Sequence, residues 1–328
     1  MPVKPYGVLK CQPIGGLKAS DTTHYEIHVV DDEGDLRIAV NVQSQTSPPE
    51  LRFYIDDNFS HHILQELDKL PSGFTELDSS PGGIALDYIR GNLFDTGNFK
   101  IAPHISRQDN ELLDRIEKYI DTAVRTGDAV IYAFGQKWGP ENKRDQYFGF
   151  RPRQGIHDIH MNQGNSGNFL KDNGVYQDGG LFINIPSQKK WIAIFLAFQS
   201  QALHTDDTTG NPIDIEPNRI PVSNDGIITI SAALINTLNG SKQTVSLLNT
   251  SPDAINLAGW SIADKFKNRQ KLDLLINPGA FATIEVQEGL KLPVSGGIIT
   301  LLDNKGIKVH GVSYTSRDTE KHGWTTVF

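Results

Sequence analysis

The strongest constraint on the fold of this chain is a pair of adjacent apolar segments, at residues 181–185 and 191–198. Each has the length of a β-strand, and the Pro186-Ser187-Gln188-Lys189-Lys190 segment between them is typical of a turn. Both segments are apolar on both faces, which favours a position in the middle of a sheet. A third continuous apolar run, at residues 129–134, is typical of another buried strand. These segments predict a sheet with buried central strands.

The rest of the first 200 residues alternates between strand-like and helix-like patterns. Further strands are predicted at residues 25–30 and 36–42, which form a hairpin, and at 52–55 and 146–150. Helices are predicted at residues 61–70, 84–92 and 110–125, where apolar residues recur at helical spacing. Ser60 is the expected N-cap of the first helix, Asp109 or Asn110 caps the third, and Gly127 ends it. The pattern predicts an α+β domain, mostly of β-hairpins with two or three helices.

Two strand ends in this domain resemble each other. Residues 38–45 and 194–201 follow one apolar pattern, each closes a predicted hairpin, and both end in Gln-Ser-Gln. One hypothesis is an internal duplication that brings Gln43, Gln199 and Gln201 to a shared binding cleft. The alternative is chance similarity between two strands, because the likeness is short.

The pattern changes after a polar segment that is marked by proline and glycine, at residues 209–226. We interpret this segment as a linker. From residue 227 onward, short strands recur roughly every eight to twelve residues, with turn signals such as Asn277-Pro278-Gly279 between them. The sequence therefore predicts an α+β domain at residues 1–208, a linker, and an all-β sandwich at residues 227–328.

Composition narrows the classes of function. A chain of 328 residues is long enough for two domains, and its net charge of -8 argues against a protein that wraps nucleic acid, although it leaves a nuclease open. The single cysteine, Cys11, excludes an intramolecular disulfide and a zinc cluster of cysteines. Neither a signal peptide nor an apolar run of membrane-spanning length is evident, so we expect a cytoplasmic protein without membrane contact, with signal-less export as an alternative.

The densest polar segment, at residues 155–165, is the predicted functional site. It contains His157, His160, Asn162 and Gln163 between glycines, and a second polar segment at residues 172–180 adds Asp178. The glycines let the backbone turn tightly, which favours a built site. One hypothesis is a metal-free site in which a histidine is the general base, Asn162 or Gln163 is an oxyanion or phosphate donor, and Asp178 orients the imidazole.

A second hypothesis places a divalent metal ion at the same segment. His157, His160, His204 and Asp206 together offer imidazole and carboxylate ligands that suit Zn, Mn or Fe. An open coordination position would then activate a water molecule. The His-x-x-His spacing is ambiguous, because residues three apart face opposite sides of a strand. The alternative is that these histidines only form hydrogen bonds to loop backbone.

Several other groups have both a structural and a functional interpretation, and the structural one is preferred for each. His24-x-Glu26 followed by Asp31 has the spacing of the phospholipase D signature, but glutamate replaces the phosphate-binding lysine, so an alternating edge-strand face is the preferred interpretation. Asp56-Asp57-Asn58 could bind calcium, but a solvated loop before a helix is preferred. Tyr132 and Phe134, with Trp138 and Pro140, could line a pocket wall, but core is the preferred interpretation.

The C-terminal segments resemble the lamin-tail domain. The resemblance rests on segments whose order and spacing match over about 100 residues: Val245-Ser246-Leu247-Leu248-Asn249, Ala258-Gly259-Trp260-Ser261-Ile262, Asn277-Pro278-Gly279 and Ile298-Ile299-Thr300-Leu301-Leu302. It implies an immunoglobulin-like sandwich with Trp260 packed between its sheets. It also implies an accessory module without chemistry of its own, through which a protein partner could dock.

The first 208 residues resemble the YukJ-like family of bacterial proteins of unknown function. The segments that carry this resemblance are Leu86-Asp87-Tyr88-Ile89-Arg90-Gly91-Asn92, Tyr132-Ala133-Phe134-Gly135 with Trp138-Gly139-Pro140-Glu141, residues 155–165 and His204-Thr205-Asp206-Asp207. The resemblance implies no activity, so the functional hypotheses come from the residues. The first is a hydrolase, metal-assisted or not, that acts on phosphodiester or amide bonds of an unknown substrate. The second is a ligand- or partner-binding protein without catalysis, and a third is a structural component of an envelope assembly.

Overall fold

A computed structural model describes most of the two predicted domains. The described residues are 6–44, 51–77, 93–94, 98–104, 109–137, 139–140, 142–153, 179–198, 227–238, 240–266, 268–304, 306 and 308–328. Every pair of strands within these ranges is antiparallel. The predicted linker at residues 209–226 and the predicted helix at 84–92 lie outside them, so both stay predictions.

The N-terminal region is an α+β unit built on one antiparallel sheet. Its strands are β1 (Tyr6–Lys18), β2 (His24–Val30), β3 (Asp35–Asn41), β4 (Leu51–Asp56), β5 (Gly73–Glu76), β6 (Lys100–Ile101), β7 (Val130–Gln136), β8 (Gly179–Ile185) and β9 (Lys190–Phe198). The strand order is β3-β2-β1-β7-β8-β9-β4-β6, with β5 also paired to β1. The predicted β2–β3 and β8–β9 hairpins are confirmed, and β7, β8 and β9 occupy the central positions that their apolar sequences predict.

The longest strand, β1, has no counterpart in the sequence prediction. Its first half pairs with β5 and β7, and its second half pairs with β2 in a ladder that has a register shift between Pro13 and Gly15. A proline and two glycines in one segment argue against a strand in sequence terms. Gly16 is required here, since a Cβ at this position would lie 2.5 Å from the Tyr25 hydroxyl.

The helix α2 (Glu111–Thr126) packs one apolar face against this sheet. The Asn110 side chain accepts a hydrogen bond from the Leu113 amide at 3.0 Å, and Gly127 ends the helix in the left-handed conformation. The predicted helix, its Asn110 cap and its glycine end are thus confirmed. A core cluster between the helix and strands of the sheet includes Leu112, Ile116, Ile131, Leu181 and Ile194, all fully buried.

The opposite face of the sheet carries a mainly aromatic cluster. Tyr132, Phe134, Phe182 and Phe195 are buried there together with residues of α1 (Ile63–Asp68), which confirms the interpretation of Tyr132 and Phe134 as core. The helix α1 is shorter than predicted, and Ser60 is not its cap. The His61 Nδ1 atom instead accepts a hydrogen bond from the Ile63 amide at 3.1 Å.

Two further expectations are wrong. Residues 146–148 form bends and residues 149–150 have no regular structure, because the Asp145 carboxylate binds the amides of Tyr147 and Phe148 and holds the chain in a turn instead of a strand. The strand β2 is not an edge strand, since it pairs with both β1 and β3. The duplication hypothesis is untested, and β3 ends the strand order whereas β9 lies between β8 and β4.

The C-terminal region is rich in β-structure. Its strands are β10 (Ile228–Leu234), β11 (Thr244–Asn249), β12 (Ile255–Asn256), β13 (Ser261–Asp264), β14 (Arg269–Lys271), β15 (Leu275–Ile276), β16 (Phe281–Glu285), β17 (Gly296–Leu302), β18 (Lys308–Thr315) and β19 (Thr326–Val327). They form two four-stranded sheets, β16-β11-β10-β19 and β14-β13-β17-β18, and a pair of short strands, β12-β15. Both larger sheets contribute to one hydrophobic cluster that contains Trp260.

The start of α1 contacts the C-terminal region. A Cβ built at Gly296 would lie 3.5 Å from the Cβ of His62, and Lys265 donates a hydrogen bond to the Gly296 carbonyl at 3.2 Å. Burial, followed by the nearby positive charge of Lys265, lowers the pKa of His62 from 6.5 to about 4. Separately, a search of the described helices for one long and apolar enough to cross a bilayer found no such helix.

Candidate functional site

Most of the predicted site residues lie outside the residues that the structure describes. These are His157, His160, Asn162, Gln163, Asp178, Gln199, Gln201, His204 and Asp206. Their proposed roles therefore stay predictions. Gln43 is described, and its Nε2 donates to the His104 carbonyl at 3.1 Å, which fastens the end of β3 to the segment before α2. This contact leaves the predicted binding role of Gln43 untested.

A polar cluster that the sequence does not predict lies among the described residues. It lies on the face of the β2–β3 hairpin that points away from α2, where alternate residues of both strands project. His24 is opposite Asn41 in the ladder, and two residues further along each strand Glu26 is opposite Ala39. Arg37 follows, opposite His28. We call Glu26, Arg37, Asp145 and His24 the Glu26 cluster.

Three charged side chains of this cluster are almost completely buried. The Glu26 side chain is 0% exposed, Arg37 is 9% exposed and Asp145 is 1% exposed. The Arg37 Nη1 atom donates to the Glu26 Oε2 atom at 3.0 Å, and the Arg37 Nε atom lies 3.1 Å from the Asp145 Oδ1 atom. One guanidinium thus compensates two buried carboxylates. Removing these three charged side chains from water costs free energy, which only close pairing between them can offset.

His24 is the partly exposed member of the cluster. Its Nδ1 atom lies 3.8 Å from the Glu26 Oε1 atom, and its side chain is 20% exposed. The arrangement gives a solvent-accessible imidazole beside a buried carboxylate, which is chemically suited to proton transfer.

The segment at residues 142–153 covers this polar face. The Asp145 Oδ2 atom accepts hydrogen bonds from the Tyr147 and Phe148 amides, at 3.1 and 2.6 Å. The Arg37 guanidinium lies over the Tyr147 ring, 4.9 Å from its centroid, and the Tyr147 hydroxyl donates to Asp21 at 3.0 Å. Burial raises the pKa of Tyr147 above its ordinary value. The cluster therefore anchors the chain just before the predicted site segment.

His28 extends the polar row at the far end of the hairpin. Its ring stacks on Phe148 with centroids 5.0 Å apart, and its Nε2 atom lies 2.8 Å from the Asp35 carboxylate. The row of alternating histidine and glutamate in β2, followed by Arg37 in β3, is the signal in the sequence that could have indicated the cluster. The sequence prediction includes Glu26 only because it stands where the phospholipase D signature has a lysine. Arg37 and Asp145 are not among the predicted site residues.

The Asp56-Asp57-Asn58 segment is more than a solvated loop, because one of its carboxylates is bonded to α2. The Asp57 carboxylate accepts hydrogen bonds from the Tyr119 hydroxyl and the Arg115 guanidinium, both on α2. Burial acts to raise the pKa of Asp57, but these two hydrogen bonds, together with the positive charges of Arg115 and Lys190, outweigh it and the pKa is lowered. A search for clusters of at least three metal-ligating side chains found none among the described residues. The metal hypothesis therefore rests on residues that the structure does not describe.

The described part of the N-terminal region is an antiparallel sheet with α2 on one face and α1 on the other, and with a buried ionic cluster on its outer hairpin. The chain belongs to the family described as an uncharacterized conserved protein (DUF2278), whose profile matches residues 1–210. A similar protein is the uncharacterized protein YukJ of Bacillus subtilis (strain 168), which is 40% identical over 219 residues. That alignment covers 65% of this chain and 96% of the relative. The match to the relative supports the predicted resemblance to YukJ-like proteins.

Proposed function

We propose that the protein is a hydrolase whose acid–base site includes the Glu26 cluster. The observation that supports this proposal is the contact between a partly exposed imidazole, His24, and the buried Glu26 carboxylate, 3.8 Å apart. Buried charges are costly for stability, so their retention beside an accessible proton acceptor favours a functional use. Arg37 holds the Glu26 carboxylate in place on its other oxygen.

In this proposal each residue has a distinct role. His24 accepts a proton from the attacking water, and Glu26 stabilises the imidazolium that results. The predicted residues His157 and His160 act as additional acid–base groups or as ligands of a divalent metal ion with His204 and Asp206. Asn162 and Gln163 donate hydrogen bonds to the oxygen that becomes negative, and Asp178 orients an imidazole. The substrates are phosphodiesters or amides.

A substrate screen with matched variants tests the proposal. Hydrolysis of bis-p-nitrophenyl phosphate and of a panel of peptide p-nitroanilides is measured for the wild type, His24→Ala, Glu26→Gln and the control His28→Gln. A general base contributes roughly a hundredfold or more to the rate, so His24→Ala loses that factor. His28→Gln keeps activity, because His28 contacts Phe148 and Asp35 instead of Glu26. Equal activity of folded His24→Ala and wild type would overturn the proposed role.

The metal-assisted version needs a separate measurement. Elemental analysis is made on protein that was purified without an affinity tag or chelator, beside a His157→Ala/His160→Ala double variant. About one equivalent of a transition metal in the wild type and less in the double variant supports a metal-assisted mechanism. Equal metal content in the two proteins would remove His157 and His160 as ligands and leave metal-free acid–base chemistry.

A second candidate is a binding protein without catalysis. The observation that favours it is that both oxygens of the Asp145 carboxylate have partners. They contact Arg37 and two backbone amides, and these contacts shape the segment at residues 142–153. A cluster with this role holds a recognition loop and performs no chemistry. In that case no substrate in the screen is turned over, while His24→Ala still weakens binding of whatever ligand the protein retains during purification.

For the C-terminal region we propose an immunoglobulin-like sandwich of the lamin-tail type that docks a protein partner. Two four-stranded antiparallel sheets with a shared core, and a buried Trp260 within it, are compatible with such a sandwich. An experimental structure of the full chain, compared with lamin-tail domains strand by strand, tests this assignment. A different strand order in either sheet would overturn it.

A further inference from the structure

The segment at residues 142–153, which covers the Glu26 cluster, is rich in positive charge, and we call it the basic loop. Its four cationic side chains are all exposed: Lys143, Arg144, Arg151 and Arg153. Its one acidic residue, Asp145, is buried against Arg37 and adds no negative charge to the surface of the loop. In a chain with a net charge of -8, such a concentration of cations is a distinct surface that attracts anions.

Hydrogen bonds within the basic loop bring its two ends together. The Asp145 amide donates to the Phe150 carbonyl at 3.0 Å, so the chain folds back on itself between these residues. At the two ends of the loop, the Arg153 Nε atom donates to the Asn142 side chain at 3.4 Å. The cations that precede Asp145 therefore lie close to the cations that follow Phe150, and the four charges form one patch.

The positive charges of this patch are not compensated within the described part of the chain, where no ion pair joins any of the four cations to a carboxylate. Like charges that are held close together repel each other. The loop cannot simply open, because Asp145 fixes it to Arg37 and accepts the amides of Tyr147 and Phe148. A ligand with several negative charges relieves this repulsion at all four positions, so the patch fits a polyanion better than a single carboxylate.

The tip of the basic loop carries two half-buried aromatic rings, Tyr147 and Phe148. Arg37 lies over the Tyr147 ring and His28 stacks on Phe148, so both rings are held in fixed positions while part of each stays accessible. Cations that follow a phosphate backbone, together with aromatic rings on which bases stack, are the combination that binds single-stranded nucleic acid. A duplex keeps its base faces stacked inside and cannot use such rings.

The tip also lies beside the start of the strand that carries the proposed general base. The Tyr147 hydroxyl donates to the Asp21 Oδ1 atom at 3.0 Å, and the Gln146 Nε2 atom donates to its Oδ2 atom at 3.1 Å. Asp21 belongs to the segment between β1 and β2, and His24 is the first residue of β2. A strand of nucleic acid on the basic loop therefore passes close to the hairpin that carries the imidazole.

We propose that the basic loop binds the phosphate backbone of a single-stranded nucleic acid. The four cations contact neighbouring phosphates, and a base packs against the accessible part of Tyr147 or Phe148. The identification of this ligand as the substrate rests on the proposed hydrolase function, because it requires the acid–base role of His24. The binding by the loop does not depend on that role, so the two proposals can fail separately.

Fluorescence anisotropy with labelled oligonucleotides tests the binding. Single strands of DNA and of RNA, each about 20 nucleotides long, are titrated with the full-length protein at salt concentrations from about 50 to 200 mM. A duplex of the same sequence and poly-glutamate are the comparison ligands. The hydrolysis of the same strands and of bis-p-nitrophenyl phosphate is measured on the same protein samples.

Two double variants with the same change of charge separate the basic loop from the rest of the surface. Lys143→Gln/Arg151→Gln removes two cations of the loop whose side chains make no hydrogen bond among the described residues, so the contacts that fold the loop are kept. Lys118→Gln/Arg125→Gln is the matched control. Its two residues are exposed on α2, which packs on the face of the sheet opposite to the Glu26 cluster.

The expected result is tighter binding of a single strand than of the duplex or poly-glutamate, with a steep dependence on salt. Each phosphate contact contributes about -0.7 to the slope of log affinity against log salt, so four contacts give a slope of about -3. Lys143→Gln/Arg151→Gln makes the slope shallower by about 1.4 and weakens binding at low salt by about tenfold. Lys118→Gln/Arg125→Gln keeps the slope and the affinity of the wild type.

The outcomes distinguish this proposal from the hydrolase proposal. No binding of any single strand, equal effects of the two double variants, or equal affinity for the duplex or poly-glutamate would each overturn the role of the basic loop, even if bis-p-nitrophenyl phosphate is hydrolysed. Binding that is lost in Lys143→Gln/Arg151→Gln, without hydrolysis of any substrate by the wild type, would support the role of the loop and contradict the hydrolase function.

Discussion

The two regions of the chain use buried polar groups in different ways. In the N-terminal region, Glu26, Arg37 and Asp145 contact one another through their side chains and connect separate segments. In the C-terminal region, the buried Asp264 accepts hydrogen bonds from the amides of Phe266, Asn268 and Lys291 and from the Asn268 side chain. The first arrangement couples charges to charges, whereas the second uses a carboxylate to hold loop backbone.

This difference bears on where chemistry can occur. The Asp264 carboxylate accepts three hydrogen bonds from backbone amides and one from the Asn268 side chain, so its oxygens have no acceptor site left for a substrate. The Glu26 carboxylate, by contrast, is shared between a fixed guanidinium and a partly exposed imidazole. Under the proposed function, chemistry belongs to the N-terminal region, whereas Asp264 holds loop backbone in the C-terminal region.

Removal of Arg37 is expected to be the most damaging change. Arg37→Met removes the guanidinium that pairs with two buried carboxylates, so the free energy of unfolding of the N-terminal region falls by about 4 kcal/mol. The triple variant Arg37→Met/Glu26→Gln/Asp145→Asn recovers most of that loss, because neither carboxylate is left charged. Denaturant unfolding with hydrogen exchange as a region-specific probe measures both. A loss below about 1 kcal/mol in the single variant would show that the pairing of Arg37 with the two carboxylates does not stabilise the N-terminal region.

Asp264→Ala tests the role of the buried carboxylate in the C-terminal region. The variant leaves three backbone amides without their acceptor, and the expected loss is about 3 kcal/mol in the stability of the C-terminal region. Hydrogen exchange increases in β13 and β14, while the activity of the N-terminal site and the exchange of β2 and β3 stay unchanged. A variant that loses activity while the C-terminal strands keep their protection would contradict the division between the regions.

The contact between the regions predicts a pH dependence. Native His62 has a pKa of about 4, whereas the unfolded residue has a pKa near 6.5, so below pH 6.5 the unfolded state binds the extra proton. Stability is therefore complete above about pH 6.5 and falls as the pH decreases towards 4, by up to about 3 kcal/mol. His62→Gln removes this component.

Urea unfolding of the wild type and the variant at several pH values between 4 and 7 provides the measurement. The difference between the two proteins isolates His62 from the other titrating groups. Lys265→Gln serves as the matched control, because it removes the positive charge that lowers the pKa of His62 and so reduces the pH dependence partly. A difference that stays constant over the whole range would mean that His62 is solvated in the native protein.

The sequence predicts elements better than it predicts clusters. The central strands β7, β8 and β9 and the helix α2 follow from local apolar patterns, which are properties of adjacent residues. The strand β1 escapes prediction, because pairing with three neighbours overrides the local effect of Pro13, Gly15 and Gly16. The Glu26 cluster escapes it for a related reason. Arg37 connects Asp145 to Glu26, and no local pattern links residues so far apart in the sequence.

The two helix starts allow the smallest and most direct test of this difference. The sequence predicts a cap at Ser60 and a cap at Asn110, but the structure has a side-chain cap only at Asn110, which also donates to the Val42 carbonyl at 2.9 Å. Asn110→Ala is expected to lower the free energy of unfolding by about 1 to 2 kcal/mol. Ser60→Ala is the matched control and changes it by less than about 0.5 kcal/mol, since Ser60 is exposed and His61 accepts the Ile63 amide. Equal losses in the two variants, measured by denaturant unfolding, would mean that Ser60 caps α1 in solution and that the sequence pattern outweighs the His61 contact.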